Sequence, residues 1–86
     1  MMVSDKKLEL WIIKKLVRHK YWGKGHISSD NLVKGQDRKY KERLLEIADR
    51  LVKEGLLIKF PHGKERHYHL NKEYRREIHR IIESSV

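Results

Sequence analysis

The 86-residue chain contains no cysteine and a single proline. Without cysteine there is no disulfide framework, no thiolate metal site and no cysteine nucleophile, and nothing favours an oxidising compartment. No apolar run approaches the roughly 18 residues of a membrane span, and the amino-terminal residues lack the order of a secretory signal. These absences predict a single domain, residues 1–86, that lies in the cytoplasm and makes no contact with a membrane.

The usual motifs of catalysis and cofactor binding are also missing. No segment matches the glycine loops GxxxxGK[ST] or GxGxxG, and the carboxylates are scattered over predicted helix surfaces instead of being paired across a cleft. His67 and His69 are one residue apart, with His62 earlier in the same segment, and zinc and nickel ligands use such spacings. No convincing fourth ligand accompanies them apart from Glu65. We therefore expect no enzyme activity, no cofactor and no metal.

Positive charge is what the chain has in excess. It carries 21 Lys and Arg against 12 Asp and Glu, a net charge of +9. Residues 1–43 have a balance of +7 and residues 44–86 a balance of +2, so the first half is the polycation. Such an excess favours polyanionic partners through counterion release and electrostatic steering. Richness in Lys, Arg and Glu is also typical of thermophile surfaces, where the charge serves stability instead.

Hydrophobic spacing predicts two helices and a very short strand in the first part of the chain. The first helix begins after its N-cap Ser4 and ends near Lys20, because apolar residues recur there every four positions. Two glycines then break the period, and residues 26–27 form a candidate strand. One of the two serines that follow caps a short second helix, which ends near Gly35.

Two further helices are predicted from their caps and their apolar periods. The strongest period lies in residues 38–54, which Asp37 caps and Gly55 stops in a left-handed conformation. The last helix begins after Asn71, because apolar residues recur there at spacings of four, seven and eight.

Between these helices the sequence predicts a two-stranded hairpin. Leu56, Ile58 and Phe60 alternate on the side expected to face the core, and Tyr68 and Leu70 do the same after the turn. The Pro-His-Gly-Lys segment between the two runs suits a four-residue loop. Basic residues and histidines fill the positions expected to face solvent.

The succession of elements and the residues at their junctions resemble a known family. The signs are a short helix, a tight turn at Gly35-Gln36-Asp37, a longer helix ending in LVKEGLLIKF, a basic hairpin and a closing helix. They resemble the winged helix-turn-helix domains of small prokaryotic, archaeal-type transcription regulators, over nearly the whole chain. The resemblance implies an α+β, mostly helical fold with a three-helix core, a two-stranded hairpin wing and a C-terminal helix. It also implies a third helix in the major groove of DNA and a hairpin on the phosphates.

Carried over by position, the resemblance assigns DNA contacts to basic residues of the third helix and the hairpin. A solvated helix face is the alternative, because Glu46 with Arg50 and Asp49 with Lys53 are spaced for ordinary intrahelical pairs. The hairpin cations have the stronger functional case, since a turn does not need them. The predicted DNA-binding residues are Arg38, Lys39, Lys41, Arg43, Arg50, Lys59, Lys64 and Arg66.

The sequence leaves several partners open. Double-stranded DNA is the expected one, and RNA binding or a protein-interaction role in a larger nucleoprotein assembly are the alternatives. Trp11 projects among lysines of the first helix and is expected to be covered by the closing helix, whereas Trp22 is expected to plug the end of the core. Small winged-helix proteins often dimerise through their terminal helices, and this resemblance makes Trp11, Tyr74 and Ile78 the candidate interface of a homodimer.

Overall fold

The computed structural model of the chain describes residues 4–84. Within them lie four α-helices and a three-stranded antiparallel sheet, which confirms the predicted α+β, mostly helical class. None of these helices is long and apolar enough to cross a membrane. The elements are α1 (Asp5–Arg18), β1 (Ile27–Ser28), α2 (Ser29–Leu32), α3 (Lys41–Lys53), β2 (Leu57–His62), β3 (Glu65–Leu70) and α4 (Arg75–Glu83).

Each helical segment begins at a polar side chain that caps it. The Ser4 hydroxyl accepts from a backbone N–H of α1, and the Ser28 hydroxyl does the same for α2, so the first of the two candidate serines is the cap. Asp37 and Asn71 cap single 3-10 turns, which run directly into α3 and α4. The predicted starts are therefore confirmed, because a side-chain acceptor satisfies an N–H that the helix itself leaves unpaired.

The apolar stripes of α1 and α3 form the centre of the core, together with the inner face of the sheet and one residue of α4. Ile12, Leu44 and Ile78 have no exposed surface, and Tyr68 of β3 is 1% exposed. Burying each such side chain stabilises the fold by about 1.5–3 kcal/mol. The full set of buried apolar residues is Leu8, Ile12, Ile13, Leu16, Ile27, Leu32, Val33, Tyr40, Leu44, Ile47, Ala48, Leu51, Leu56, Leu57, Tyr68, Leu70 and Ile78.

The sheet has the order β1-β3-β2, and its register corrects the predicted inner face of β2. Leu57 lies opposite Leu70 and is 2% exposed, whereas Ile58 lies opposite His69 and is 38% exposed. The prediction that Ile58 and Phe60 face the core is therefore wrong. Three consecutive apolar residues at 56–58 fit either phase of a two-residue period, and a shift of one residue exchanges the two faces of a strand.

The hairpin turn is shorter than predicted. Pro61 and His62 belong to β2, where they pair with Arg66 and Glu65, and only Gly63 and Lys64 form the loop. Gly63 has a φ of 65°, which a two-residue hairpin turn requires at its first position. The predicted four-residue loop is therefore wrong, because the two strands pair up to the turn itself.

A second turn joins α3 to the hairpin and fixes their relative direction. Gly55 has a φ of 89°, and its carbonyl accepts from Asn71 Nδ2 at 2.8 Å. The ring of Tyr74 lies against Gly55, where an added Cβ would stand 2.9 Å from Tyr74 Cζ. Because α3 ends at this turn and β2 begins there, the start of α3 and the tip of the hairpin both lie far from it along the chain.

Candidate nucleic-acid interface

Two arginines predicted to face a DNA groove are engaged with carboxylates. Arg43 Nε donates to Asp5 Oδ1 at 2.9 Å, a second bond joins Arg43 Nη2 to the other Asp5 oxygen, and Nη1 donates to Glu46 Oε2 at 2.8 Å. The hydrogen bond from Arg43 holds the pKa of Asp5 below its usual value, and the Asp5 bond raises the pKa of Arg43. Arg43 thus lies on the flank of α3 that faces α1.

Arg50 lies on the same flank. Its Nη2 is 3.4 Å from a Glu9 oxygen of α1, and its Nε is 3.7 Å from a Glu54 oxygen. The predicted Glu46–Arg50 pair does not form, because Glu46 pairs with Arg43 and Arg50 turns to Glu9 and Glu54. These contacts join α1 to α3 across the surface of the molecule.

Lys59 is also held by a carboxylate, on the side of the sheet that faces α3. Lys59 Nζ and the Tyr68 hydroxyl both donate to Asp49 Oδ1 at 2.8 Å, so the predicted Asp49–Lys53 pair does not form. Partial burial alone would raise the pKa of Asp49, but the bonds from Lys59 and Tyr68 outweigh it and leave that pKa below its usual value. Burial and the bond to Asp49 raise the pKa of Tyr68. Lys59 is therefore exposed, as predicted, but it lies on the side of the sheet nearer α3, where Asp49 neutralises it.

The other five predicted cations are exposed, and none forms an ion pair with a carboxylate of residues 4–84. The Asp49–Lys59 contact joins α3 to β2 part-way along both elements. Arg38 and Lys39 lie in the 3-10 turn before α3 and Lys41 is its first residue, whereas Lys64 lies in the hairpin loop and Arg66 on β3. We call these five exposed cations the tip surface; they are Arg38, Lys39, Lys41, Lys64 and Arg66.

A second cationic surface lies at the other end of the hairpin and was not assigned from the sequence. We call it the α4 surface; it comprises Lys72, Arg75, Arg76 and Arg80. All four side chains are exposed and form no ion pair with residues 4–84. The Arg75 guanidinium lies over the Trp22 ring at 5.3 Å, and the His79 ring is 6.0 Å from it. The helical spacing of these cations, at 72, 75, 76 and 80, is the sequence signal that could have revealed the surface.

The two tryptophans pack against the core from outside. Trp22 does so as predicted, under Arg75. Trp11 lies beneath the Lys15 ammonium, 4.8 Å from the ring centroid, and beside Gly35, where an added Cβ would stand 3.5 Å from Trp11 Cζ2. These contacts place Lys15 and the turn after α2 on Trp11, where the sequence predicted α4.

The candidate dimer residues differ in what they can offer a partner. Ile78 has no exposed surface, so its side chain is already used by the core of a single chain. Tyr74 is 39% exposed, and Trp11 is partly buried. The homodimer therefore stays a prediction. Of the three candidate residues, only Trp11 and Tyr74 have exposed surface that a partner could contact.

Histidines from three parts of the chain meet on the outer face of the sheet. His26 precedes β1, and its Nδ1 is 2.8 Å from Nδ1 of His67 on β3. The ring centroid of His62 is 4.9 Å from that of His26 and 4.6 Å from that of His67, and the Phe60 ring packs among them. No group of three or more histidine or carboxylate side chains in residues 4–84 is placed to hold a metal ion. Instead, a hydrogen bond joins Nδ1 of His26 to Nδ1 of His67.

Comparison with known proteins identifies no family for this chain. No protein-family model, curated protein or solved structure matches this chain. The surfaces described above are therefore the features that bear on its function.

Proposed function

We propose that the chain is a winged helix-turn-helix module that binds nucleic acid, duplex DNA first, through phosphate contacts at the tip surface. The observation that carries this proposal is the pattern of ion pairing. Arg43, Arg50 and Lys59 each have a carboxylate within 4.0 Å, whereas the five cations of the tip surface have none among residues 4–84. Exposed cations that no carboxylate neutralises are available to replace the counterions of a phosphate backbone.

The order of the elements supports the winged-helix part of the proposal. A short strand stands between α1 and α2, α3 follows after a turn, and the β2–β3 hairpin pairs back onto that short strand. The hairpin continues past its contacts with α3 as far as Gly63. In the proposed arrangement the hairpin serves as the wing, and its Lys64 and Arg66 side chains meet the phosphate backbone.

Base recognition by α3 has a smaller part in this proposal than the sequence suggested. Arg43 is held by two carboxylates, and Glu42 and Glu46 lie exposed on the same helix. An acidic side chain inserted into a DNA groove is repelled by the phosphates on both sides. We therefore expect binding that depends on charge and discriminates weakly among sequences.

Single-stranded nucleic acid, RNA included, is the second candidate partner. The α4 surface favours it, because one of its cations, Arg75, lies over the partly buried Trp22. Proteins that hold single strands combine cationic grooves with aromatic rings on which bases stack.

Two double variants with the same change of charge distinguish the surfaces. Lys64→Ala with Arg66→Ala alters the tip surface, and Arg76→Ala with Arg80→Ala alters the α4 surface. Each lowers the net charge from +9 to +7. Fluorescence anisotropy with random duplex DNA, a single strand and a structured RNA, at two salt concentrations, measures binding of each variant.

Duplex binding through the tip surface predicts a clear asymmetry. The tip variant should bind every duplex more weakly and should lose up to about two from the slope of log K against log salt. The α4 variant should change duplex binding less. Equal losses of duplex affinity in both variants would overturn the placement of the duplex on the tip surface. A chain that binds none of the three probes below physiological salt would overturn nucleic-acid binding altogether.

A further inference from the structure

The bond between His26 and His67 stands beside the weakest pairing of the sheet. β1 is paired to β3 at only two positions, Ile27 with Tyr68 and Ser28 with His67. His26 comes directly before β1, and its bond to His67 at 2.8 Å is the side-chain contact that continues this pairing. The attachment of the segment before β1 to the hairpin therefore depends in part on two imidazole rings.

The protonation of these rings decides whether the bond can exist. A hydrogen bond between two Nδ1 atoms needs a hydrogen on one of them and a lone pair on the other. Two neutral rings meet this condition, and so does one neutral ring beside one protonated ring. When both rings are protonated, two N–H groups and two positive charges face each other, and the bond is lost.

The groups around His26 do not stabilise a positive charge on its ring when His67 is already charged. On β3, the Glu65 carboxylate is 3.6 Å from His67 Nε2, so a charged His67 has an acidic neighbour. The rings that meet His26 belong to Phe60 and to two other histidines. Further along this face, His69 borders a depression that Lys24, Lys72 and Glu73 also line.

We propose that the His26–His67 bond is an acid-sensitive latch, which holds the segment before β1 on the hairpin while either ring is neutral and opens when both are protonated. The latch is a property of the fold and does not depend on nucleic-acid binding. Opening it frees the residues next to His26 from the outer face of the sheet, while Tyr21 stays bound to β3 through the Leu70 N–H.

The direction of the pH effect follows from the pKa of His26. Burial lowers this pKa below its ordinary value of 6.5, and repulsion from His67, His62 and His69 lowers it further. A histidine with a lowered pKa in the folded state favours the closed latch when it is neutral. This contribution is complete above pH 6.5 and is lost as the pH falls through the lowered pKa of His26.

Amide hydrogen exchange measures the latch directly. Protection factors at residues 26–28 and 66–69 are compared at about pH 7.5 and about pH 5, for the wild type and for His26→Asn. The asparagine keeps a polar atom near the position of Nδ1 but takes up no proton. His19→Gln is the matched control, because His19 is exposed at the end of α1 and its ring contact is with Tyr21, outside the cluster.

In the wild type and in His19→Gln, we expect protection at these amides to fall roughly threefold or more in acid, while the core of α1 and α3 stays protected. His26→Asn should show no such fall. Equal protection at both pH values in the wild type, or the same fall in His26→Asn, would overturn the latch.

A titration of the wild type alone keeps the proposal testable if His26→Asn does not fold. Nitrogen NMR signals of the imidazole rings report the protonation of each histidine. The proton taken up by His26 should accompany the loss of protection at residues 26–28. If both rings become charged while these amides stay protected, the latch does not exist.

Discussion

Among single side chains, Lys15 joins α1 to the end of α2 through backbone carbonyls. Lys15 Nζ donates to the carbonyls of Asn31 at 2.7 Å, Leu32 at 3.1 Å and Lys34 at 2.7 Å. Asn31 and Leu32 are the last two residues of the very short α2 and Lys34 follows it, so these carbonyls lie where a helix leaves acceptors without intrahelical partners; the Asn31 carbonyl also accepts from the Lys34 N–H at 3.3 Å. Burial lowers the pKa of Lys15, but the ammonium remains the donor that holds the turn between α2 and α3 in place.

We therefore predict that Lys15→Met lowers the free energy of unfolding by about 2 kcal/mol, because several bonds from one charged donor are lost together. Urea unfolding at neutral pH measures the change. Lys14→Met is the control, since Lys14 is an exposed neighbour on the same helix, and it should stay within about 0.5 kcal/mol of the wild type. Equal effects at the two positions would mean that the carbonyl contacts contribute nothing.

Asp49 gives a prediction that depends on pH. It accepts from Lys59 and Tyr68, and its side chain is 48% exposed, so solvent screening leaves a contribution of about 1 kcal/mol. Because the pKa of Asp49 is lower than the ordinary 3.8, this contribution is complete above that value and is lost as the pH falls through the folded-state pKa. Asp49→Asn should therefore be less stable than the wild type at pH near 7, and the difference should shrink in acid. A difference that stays constant or grows in acid contradicts this origin.

The partners of these residues explain what the sequence could not predict about the site. Helical spacing identified Arg43 and Arg50 as exposed, which is correct. Their partners Asp5 and Glu9 lie on α1, far away in sequence, and only the packing of α1 against α3 brings them close. The cations of the tip surface were predicted because a basic turn is visible in the sequence. The α4 surface was not predicted, because only the apolar stripe of that helix was considered and not the basic residues on its other side.

At the scale of elements, the helices were predictable and the phase of β2 was not. A helix is fixed by a cap at its start and by a stripe of period 3.6, and both were present around Ser4 and Asp37. At the start of β2 the apolar run Leu56-Leu57-Ile58 fits either face of the strand. The choice is made by the turn at Gly55 and by its contacts with Asn71 and Tyr74, which come from the far side of the hairpin.

The two turns of the hairpin region predict different responses to alanine. Gly63 has a φ of 65°, and no atom lies within 4 Å of an added Cβ. Gly63→Ala should therefore lower the free energy of unfolding by about 1 kcal/mol, which is the cost of holding alanine at a positive φ. Gly55→Ala should cost roughly 1 kcal/mol more, because its Cβ would also displace the Tyr74 ring. Thermal unfolding of both variants measures the difference.

A double-mutant cycle tests the reason for this difference. If the Tyr74 ring causes the added cost, Gly55→Ala in a Tyr74→Ala background should cost no more than Gly63→Ala does. An added cost that persists without the ring would place the strain elsewhere in the turn.

At the scale of the whole molecule, the proposed docking predicts the salt dependence of binding. The tip surface offers five cations, and about five phosphate contacts give a slope of log K against log salt of about −4 to −5 on duplex DNA. Titrations over a range of salt concentrations measure the slope. A slope near zero would identify the chain as a protein-interaction module, whose contacts release no counterions.

Self-association is a separate property of the whole molecule. If the terminal helices form a homodimer, Trp11→Ala with Tyr74→Ala should shift it toward monomer in sedimentation, because both changes remove apolar surface from the interface. Ile78→Ser is unsuitable for this test, since Ile78 is fully buried and its loss would destabilise the single chain by about 3 kcal/mol or more. A wild-type chain that stays monomeric at high concentration ends the dimer prediction.

The single proline of the sequence has a consequence for how the chain behaves in a crowded solution. The order β1-β3-β2 leaves β2 at an edge of the sheet, and Pro61 lies in the half of β2 nearer the turn. A bare edge strand is a template on which a neighbouring chain can add its own strand and begin a growing aggregate. Pro61 has no N–H to offer such a strand, so the ladder fails at that position. Pro61 thus interrupts strand addition along the exposed edge of the hairpin.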